Sequence, residues 1–222
     1  MHLIIQTEKL EDKLREYFKL DSSGHDIFHL KRVMNLALHI QEKEGGNRTI
    51  VGISALLHDV HRIMQNETSQ YCSPLDSLER VKIIIENSDI KLSEKQIKMI
   101  LHCIQYHEEY NFACEGKTVN DIETLILQDA DNLDAIGAIG VGRTFAYSGA
   151  NGVIMWNPEI PFDRDVYNES IKDPSTVHHF YSKLLKLKNN MNTDTAKEMA
   201  NKRHKFMEDF LDEFLAEWRG ER

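Results

Sequence analysis

Ile53-Ser54-Ala55-Leu56-Leu57-His58-Asp59-Val60-His61 runs from an apolar segment straight into two histidines and an aspartate, with no polar break between them. Together with Ile50 and Val51 just upstream, the apolar residues have the spacing of a buried helix, predicted from about Thr49 to Val60. Burying an ionisable side chain is costly unless it is paired or binds a metal, so at least one of His58 and Asp59 points inward for a chemical reason. An adjacent nitrogen and oxygen donor suit one divalent ion. Neighbours on a continuous helix are about 100° apart, so such an ion sits over the ridge between them and takes its other ligands from other helices.

Working outward, two more segments put ionisable residues into apolar runs: His25-Asp26-Ile27-Phe28-His29 upstream, and Leu125-Ile126-Leu127-Gln128-Asp129-Ala130-Asp131 downstream. His29 and Asp129 are the natural suppliers of the missing ligands. Each element has a plain reading when taken alone, since a His-Asp dipeptide is common, a lone buried histidine is usually a satisfied core residue, and Asp129 could cap a helix. Their order on three separate helices is what points to a metal.

The rest of the chain reads as helices with one long loop. Leu10, Leu14 and Phe18 repeat at four-residue spacing, Asp21-Ser22-Ser23-Gly24 interrupts, and Leu30, Val33, Met34, Ala37, Leu38 and His39 form a second stripe ended by Gly45-Gly46. A polar, irregular piece is predicted from Gln65 to Ser73. Ser73-Pro74 with Asp76 opens a fourth helix, and Ser93-x-x-Gln96 is a capping box for a fifth. A sixth runs from near Val119 through Leu125 and Leu133 to Val141, its later half loosened by Gly137, Gly140 and Gly142. From Ser148 to Ser175 the sequence is rich in Gly, Pro and Asn, with Trp156 and Phe162; a loop of this length inside one domain is usually functional or disordered, and its aromatics favour the first. After it, about Thr176 to Arg219 is helical, with an apolar stripe of Ala196, Met199, Ala200, Phe206, Phe210, Phe214 and Trp218 that docks on the core or on a twin chain in a homodimer.

Composition sets the outer bounds. The 222 residues, 41% hydrophobic, are enough for one domain, and a net charge of -9 argues against a nucleic-acid polymer or an anionic membrane as partner. A small phosphorylated ligand remains compatible with that charge. No apolar run is long enough to span a bilayer, and the first residues lack a targeting pattern, so a cytoplasmic protein is expected. Cys72, Cys103 and Cys114 show no Cys-x-x-Cys spacing and are expected to be free thiols.

In its motifs the chain resembles the HD superfamily of metal-dependent phosphohydrolases. His25 to Val33 looks like the first motif of that family, Ala55 to Val60 the second, and Asp129-Ala130-Asp131-Asn132-Leu133-Asp134-Ala135-Ile136-Gly137 the third. The continuation Gly140-Val141-Gly142-Arg143-Thr144-Phe145 is most similar to the bacterial YedJ/YpgQ-like branch. The resemblance covers about residues 24–147. It implies an all-α HD-domain helical bundle, here one domain with a core over about 24–147, a cap loop over about 148–175 and C-terminal helices over about 176–219. It also implies His29, His58, Asp59 and Asp129 as ligands of one divalent ion, and hydrolysis of nucleotides, nucleoside triphosphate to monophosphate plus pyrophosphate first among them.

Two imidazoles and two carboxylates favour Mn²⁺, with Mg²⁺, Fe²⁺, Co²⁺, Ni²⁺ or Zn²⁺ as alternatives. Asp59 or Asp26 is placed to orient the attacking water. Arg32 lies one turn after His29 and is a candidate for substrate phosphate, as are Arg143 among its apolar neighbours, Lys31 and Arg62. His61 and His107 are further substrate-binding candidates, and His102 a weaker one; the resemblance also implies a second metal as an alternative role for histidines between the second and third motifs, where His102 and His107 lie. Two readings compete. His25 and His29 at four-residue spacing resemble a zinc-peptidase pair but lack the glutamate between them. A non-enzymatic reading keeps the metal and makes the domain a ligand sensor or scaffold, with the 148–175 loop as its partner-binding segment.

Overall fold

Helix boundaries follow the caps that the sequence supplies. Asp26 accepts from the His29 amide to open α2 (Ile27–Glu44), and Asn47 accepts from Thr49 and Ile50 to open α3 (Arg48–Leu57). The Ser93 and Gln96 side chains form both halves of the capping box that opens α6 (Glu94–Tyr106). Asp121 caps α7 (Ile122–Asp134), and Thr193 caps α10 (Asp194–Trp218). The computed structural model describes residues 2–18, 24–110, 119–161 and 173–222; Asp21 to Ser23, Cys114 and Phe162 lie outside the described residues. The remaining helices are α1 (His2–Tyr17), α4 (Val60–Thr68), α5 (Leu78–Glu86), α8 (Gly137–Ala150) and α9 (Thr176–Ser182), with 3₁₀ turns at Leu75–Ser77 and Leu184–Asn190. The fold is all-α, with no strand among the described residues.

Helix α2 packs against both α3 and α7, and α3 also meets α6. These helices carry the motif residues, so the packing that buries Leu30, Val33, Ile53, Leu56, Ile104, Leu127 and Leu133 also brings the motifs together. One hydrophobic cluster takes in residues from Leu10 on α1 to Leu211 on α10. No helix among the described residues is long and apolar enough to cross a membrane.

Two helices expected to be continuous are broken, and both breaks serve the site. The first ends at Leu57, and α4 starts at Val60 after a junction at His58 and Asp59. It then runs on to Thr68, through residues where an irregular piece was expected, until Ser69 turns left-handed at φ 56°. The helix expected from about 119 to 141 breaks after Asp134. Gly137, at φ +78°, begins α8 in a conformation that a side chain would strain. Three residues later, a Cβ on Gly140 would lie 2.2 Å from the Ala135 carbonyl oxygen, so α8 leaves the break along a path that only glycine permits.

The long loop is shorter than expected at its start, because α8 extends to Ala150. The Thr176 and Val177 amides donate to the carbonyls of Ile154 and Met155, tying the loop's first residues to the start of α9. Trp156 packs against the His178 ring, whose Nε2–H donates to Ile160 O at 3.0 Å. Along α10, Ala196, Ala200, Met207 and Leu211 are buried, and Phe210 and Phe214 meet Phe145 of α8. The expected apolar stripes are not wholly inward: Phe206 and Trp218 are each 46% exposed, and His39 faces solvent.

Candidate metal centre

The break between α3 and α4 shapes the centre. His58 closes α3 in helical conformation, and Asp59 follows at φ -92° and ψ 15°, opening α4 without giving its carboxylate to the helix amides. The pair therefore sits at a corner, not on the ridge of one helix. Across from it, α2 supplies His29 and α7 supplies Asp131. His29 Nε2 lies 3.2 Å from His58 Nε2, 3.2 Å from Asp59 Oδ2 and 3.6 Å from Asp131 Oδ1. His58 Nε2 is 3.7 Å from Asp59 Oδ1 and 3.6 Å from Asp131 Oδ1.

Proton placement shows what this cluster needs. The His29 Nδ1–H donates to Asp134 Oδ2 at 2.8 Å, and the His58 Nδ1–H donates to the Ala55 carbonyl at 2.8 Å. In the neutral rings both Nε2 atoms therefore carry lone pairs, and these face each other across 3.2 Å beside two carboxylates. Asp59 Oδ2 makes no hydrogen bond despite its closeness to His29. Such a convergence of acceptors is repulsive until a cation is placed among them. The separations of 3.2 to 3.7 Å are close to what one ion needs, since donors about 2.0 to 2.2 Å from an ion stand about 2.8 to 3.6 Å apart at right-angled or tetrahedral positions.

The same electrostatics governs titration. Burial disfavours the charged form of His58, but Asp59 and Asp131 outweigh it and push its pKa up to about 9. Burial likewise opposes charge on Asp59, yet His58 and His29 hold its carboxyl well below the ordinary range. Asp131 is held low in the same way, chiefly by His58. A divalent ion entering the metal-free centre must displace the His58 proton. From pH 6.5 to about 9, Mn²⁺ affinity is expected to rise roughly tenfold per pH unit, with one proton released per ion. The linkage sign for the metal-free fold is the reverse. A histidine whose pKa is raised on folding stabilises fully below its unfolded value of 6.5, and that contribution disappears as pH climbs through about 9. Calorimetric Mn²⁺ titrations in buffers of different protonation enthalpy, with melts of the metal-free protein, measure both trends; a pH-independent affinity over this window contradicts the mechanism.

Asp129 is not brought to the cluster. It is fully buried, but its Oδ1 accepts from the Asn192 amide at 2.7 Å, and its Oδ2 accepts from the Thr193 amide at 2.8 Å and hydroxyl at 2.7 Å. It anchors the entry to α10. Two residues on, a helix has turned by about 200°, so Asp131 faces the histidines in its place. Asp26 is also committed, its Oδ1 accepting from the His29 amide at 2.9 Å as the cap of α2.

Asp134, which the sequence reading quoted without a role, is the hub beneath the centre. Besides His29, it accepts from Arg32 Nε at 2.7 Å, Arg32 Nη2 at 3.1 Å and Arg143 Nη1 at 2.9 Å. Burial resists its ionisation, but His29, Arg32 and Arg143 hold its pKa down to about 2. Arg143 Nε also donates to Gly24 O at 2.9 Å. About three N–H donors remain on each guanidinium. Both arginines line a cleft of about 370 Å³ with Asp26, Gly24, Ile139 and Gly142. A cleft with an apolar wall and two cations, joined through Asp134 to His29 of the cluster, suits a phosphorylated small molecule.

On the other flank, His61 and His107 are buried near the cluster, and Glu108 reaches toward them. Burial lowers His107 to about 4. Burial opposes charge on Glu108, but Arg62, with Nη2 2.6 Å away, and His61 hold its pKa far below the ordinary value. The other candidates are engaged elsewhere: Lys31 pairs with Glu11 at 2.8 Å, and His102 pairs with Asp121 at 3.1 Å. The His25 and His29 rings meet edge to face, centroids 5.6 Å apart, but burial drops His25 to about 3, and it joins none of the ligand groups among the described residues. Asp131, Asp134 and Glu108 are the site residues that sequence reading did not assign. The first two were visible as acids within an apolar helix.

Comparison with known proteins places this geometry. The family described as HD domain matches residues 27–136. The Bacillus subtilis protein YpgQ is 35% identical over 211 residues, covering 93% of this chain and 90% of that one. The crystal structure of an HD-superfamily hydrolase from Bacillus thuringiensis superposes with a TM-score of 0.71 at 37% identity, covering 98% of each chain. The crystal structure of Bacillus subtilis YpgQ in complex with ADP superposes with a TM-score of 0.71 at 29% identity, covering 96% of this chain and 95% of that one.

Proposed function

We propose, since the chain belongs to the HD domain family, that it is a divalent-metal-dependent phosphohydrolase of nucleotides, cleaving a nucleoside triphosphate to the monophosphate and pyrophosphate. The observation that carries this reading is the buried convergence of His29, His58, Asp59 and Asp131, all acceptors, beside a cleft holding Arg32 and Arg143. The nucleotide is supported by the ADP bound to YpgQ and by the cleft's size and apolar wall.

His29, His58, Asp59 and Asp131 would hold the ion, with Mn²⁺ favoured by the mixed nitrogen and oxygen donor set. When bound, the ion supplies Lewis acidity to a phosphoryl oxygen and makes a water easier to deprotonate. The chain's own groups do the rest. Arg32 and Arg143 bind and orient phosphate through the N–H donors that Asp134 leaves available. Asp59 is held ionised and directs Oδ2 into the cluster, where it orients the attacking water as a hydrogen-bond acceptor. Asp26 lines the cleft while capping α2, so its part is to shape the entrance. Ile139 and Gly142 offer an apolar part of the lining to a base or sugar.

The test is a panel of nucleoside mono-, di- and triphosphates incubated with the purified protein and Mn²⁺, with pyrophosphate and phosphate measured separately. Pyrophosphate from a triphosphate is expected, reduced about 10²- to 10⁴-fold in Asp59→Ala. Phosphate released from monophosphates alone would move the assignment to a nucleotidase. Retained metal with no turnover of any nucleotide would make the domain a sensor or scaffold.

A further inference from the structure

One charged side chain stands inside the apolar stripe of α10. Ala196, Ala200 and Met207 are buried and Phe210 and Phe214 meet α8, at three- and four-residue spacings that put position 203 on the same face, yet position 203 is arginine. Desolvating a guanidinium is costly unless it is paired. Burial pulls the Arg203 pKa down, and Asp134 is near enough to oppose the fall. The Arg203 Nη1–H donates to the carbonyl of Leu133, one residue before Asp134 at the end of α7. The last carbonyls of a helix lack partners within it and form its negative pole, which favours a cation there. Local amides also reach this carbonyl, that of Ile136 at 3.3 Å, but they belong to the break and cannot tie it to another element. The stem of the same side chain grips the other side of the break: Arg203 Cβ and Cγ lie 3.0 Å from where a Cβ on Gly137, the first residue of α8, would stand. Seven residues further along α10, and so on nearly the same face, the Phe210 ring meets Phe145 with centroids 5.9 Å apart. Helix α10 therefore holds α8 at residues 137 and 145, and Arg143 lies between the two points.

We propose that Arg203 is a positioning residue for Arg143: it fixes the break between α7 and α8 so that Arg143 meets Asp134 at the cleft, and it does not itself touch substrate. The two sides of the hub depend on it unequally. Asp134 keeps the His29 Nδ1–H at 2.8 Å and Arg32 Nε at 2.7 Å, both from α2, whatever happens at the break. Arg143 reaches Asp134 Oδ2 and Gly24 O, each at 2.9 Å, only along the path on which α8 sets out. That path begins at Gly137, whose φ of +78° belongs to a residue with wide backbone freedom, so the direction of α8 has to be held from outside. Arg203 holds it at both ends of the break, by its guanidinium on Leu133 and by its stem on Gly137. Losing that hold releases Arg143 and leaves the metal cluster in place.

The part that concerns substrate phosphate rests on the proposed function, so the test pairs kinetics with a measurement that needs no turnover. In Arg203→Met the stem and the apolar stripe are kept and the donor is lost; Arg203→Lys keeps a donor. With a nucleoside triphosphate and Mn²⁺, Arg203→Met is expected to raise KM about tenfold with kcat and Mn²⁺ affinity little changed, and Arg203→Lys to recover most of the loss. Added to Arg143→Ala, Arg203→Met is expected to raise KM no further, because the group it positions is already gone. Without substrate, the Arg143 Nε–H bonded to Gly24 O is expected to exchange slowly in a ¹⁵N spectrum of the full chain, its resonance identified by its loss in Arg143→Ala. Its exchange should quicken about tenfold in Arg203→Met and slow again in Arg203→Lys. A further KM rise in the double variant, or unchanged Arg143 exchange in folded Arg203→Met, overturns the proposal; a merely structural Arg203 gives both, with a lower melting temperature. Where Arg203→Met does not fold, Arg203→Gln, with a shorter donor, takes its place in both comparisons. A wild-type chain that hydrolyses no nucleotide removes the proposed activity and leaves the exchange measurement to decide on Arg203, whereas pyrophosphate release with unchanged exchange does the opposite.

Discussion

Asp131→Ala is expected to leave a folded protein that loses its Mn²⁺ on dialysis and hydrolyses nucleotide about 10³-fold more slowly, whereas Asp129→Ala is expected to keep the metal and lose stability. Asp131 places Oδ1 3.6 Å from both His29 Nε2 and His58 Nε2, and its side chain is 21% exposed, so truncation removes the proposed ligand without opening a cavity in the core. Asp129 is fully buried and receives the amides of Asn192 and Thr193 and the Thr193 hydroxyl. Removing it strands three donors where α10 joins the core, at a cost on the order of 3 kcal/mol. Elemental analysis, pyrophosphate release and urea melts of the two variants separate these effects. Metal retained by Asp131→Ala and lost by Asp129→Ala would return Asp129 to the cluster.

That pair of residues also shows where sequence legibility stopped. Acids inside an apolar helix announced a site on the 125–134 segment, and α7 does pass beside the cluster. Which acid faces the histidines was hidden because α7 is enclosed on most sides: Ile126, Leu127, Gln128, Asp129, Ala130, Asn132, Leu133 and Asp134 are all buried, so no polar face sets the helix's rotation. Capping is what distinguishes them, and Asp129 caps a segment more than 60 residues away, which local periodicity cannot register. The His58-Asp59 corner was hidden for a related reason. Neither glycine nor proline marks it, and the apolar spacing of residues 50 to 60 is as good for one helix as for two. By contrast, Ser93 and Gln96 cap a helix that opens beside them, and that boundary is legible directly; Asp26 and Asp121 also cap adjacent helices, although the sequence reading makes Asp26 a water-orienting group. His29 and His58 stood out because each enters an apolar run of sequence, and the structure brings their Nε2 atoms within 3.2 Å of each other.

Asp134→Ala is expected to weaken Mn²⁺ binding about 10- to 100-fold and to raise the KM for nucleotide as well, two losses that no other single carboxylate here should combine. The His29 Nδ1–H, Arg32 Nε and Nη2, and Arg143 Nη1 all converge on this side chain, which is almost fully buried. Without it, nothing holds the His29 proton on Nδ1, so Nε2 no longer presents its lone pair to the ion in a fixed direction. The guanidiniums lose the charge that keeps them side by side, and their mutual repulsion drives them away from the proposed phosphate position. Asp134→Asn retains one accepting oxygen and should restore part of the metal affinity, while its amide N–H groups oppose the arginines and leave KM high. Arg32→Ala and Arg143→Ala provide the contrast: each should raise KM with metal affinity little changed, because His29 keeps its acceptor. A purely structural Asp134 would lower the melting temperature in both of its variants and leave Mn²⁺ affinity and KM at wild-type values. The coupled response follows from geometry, since one carboxylate accepts from the His29 Nδ1–H and from both arginines.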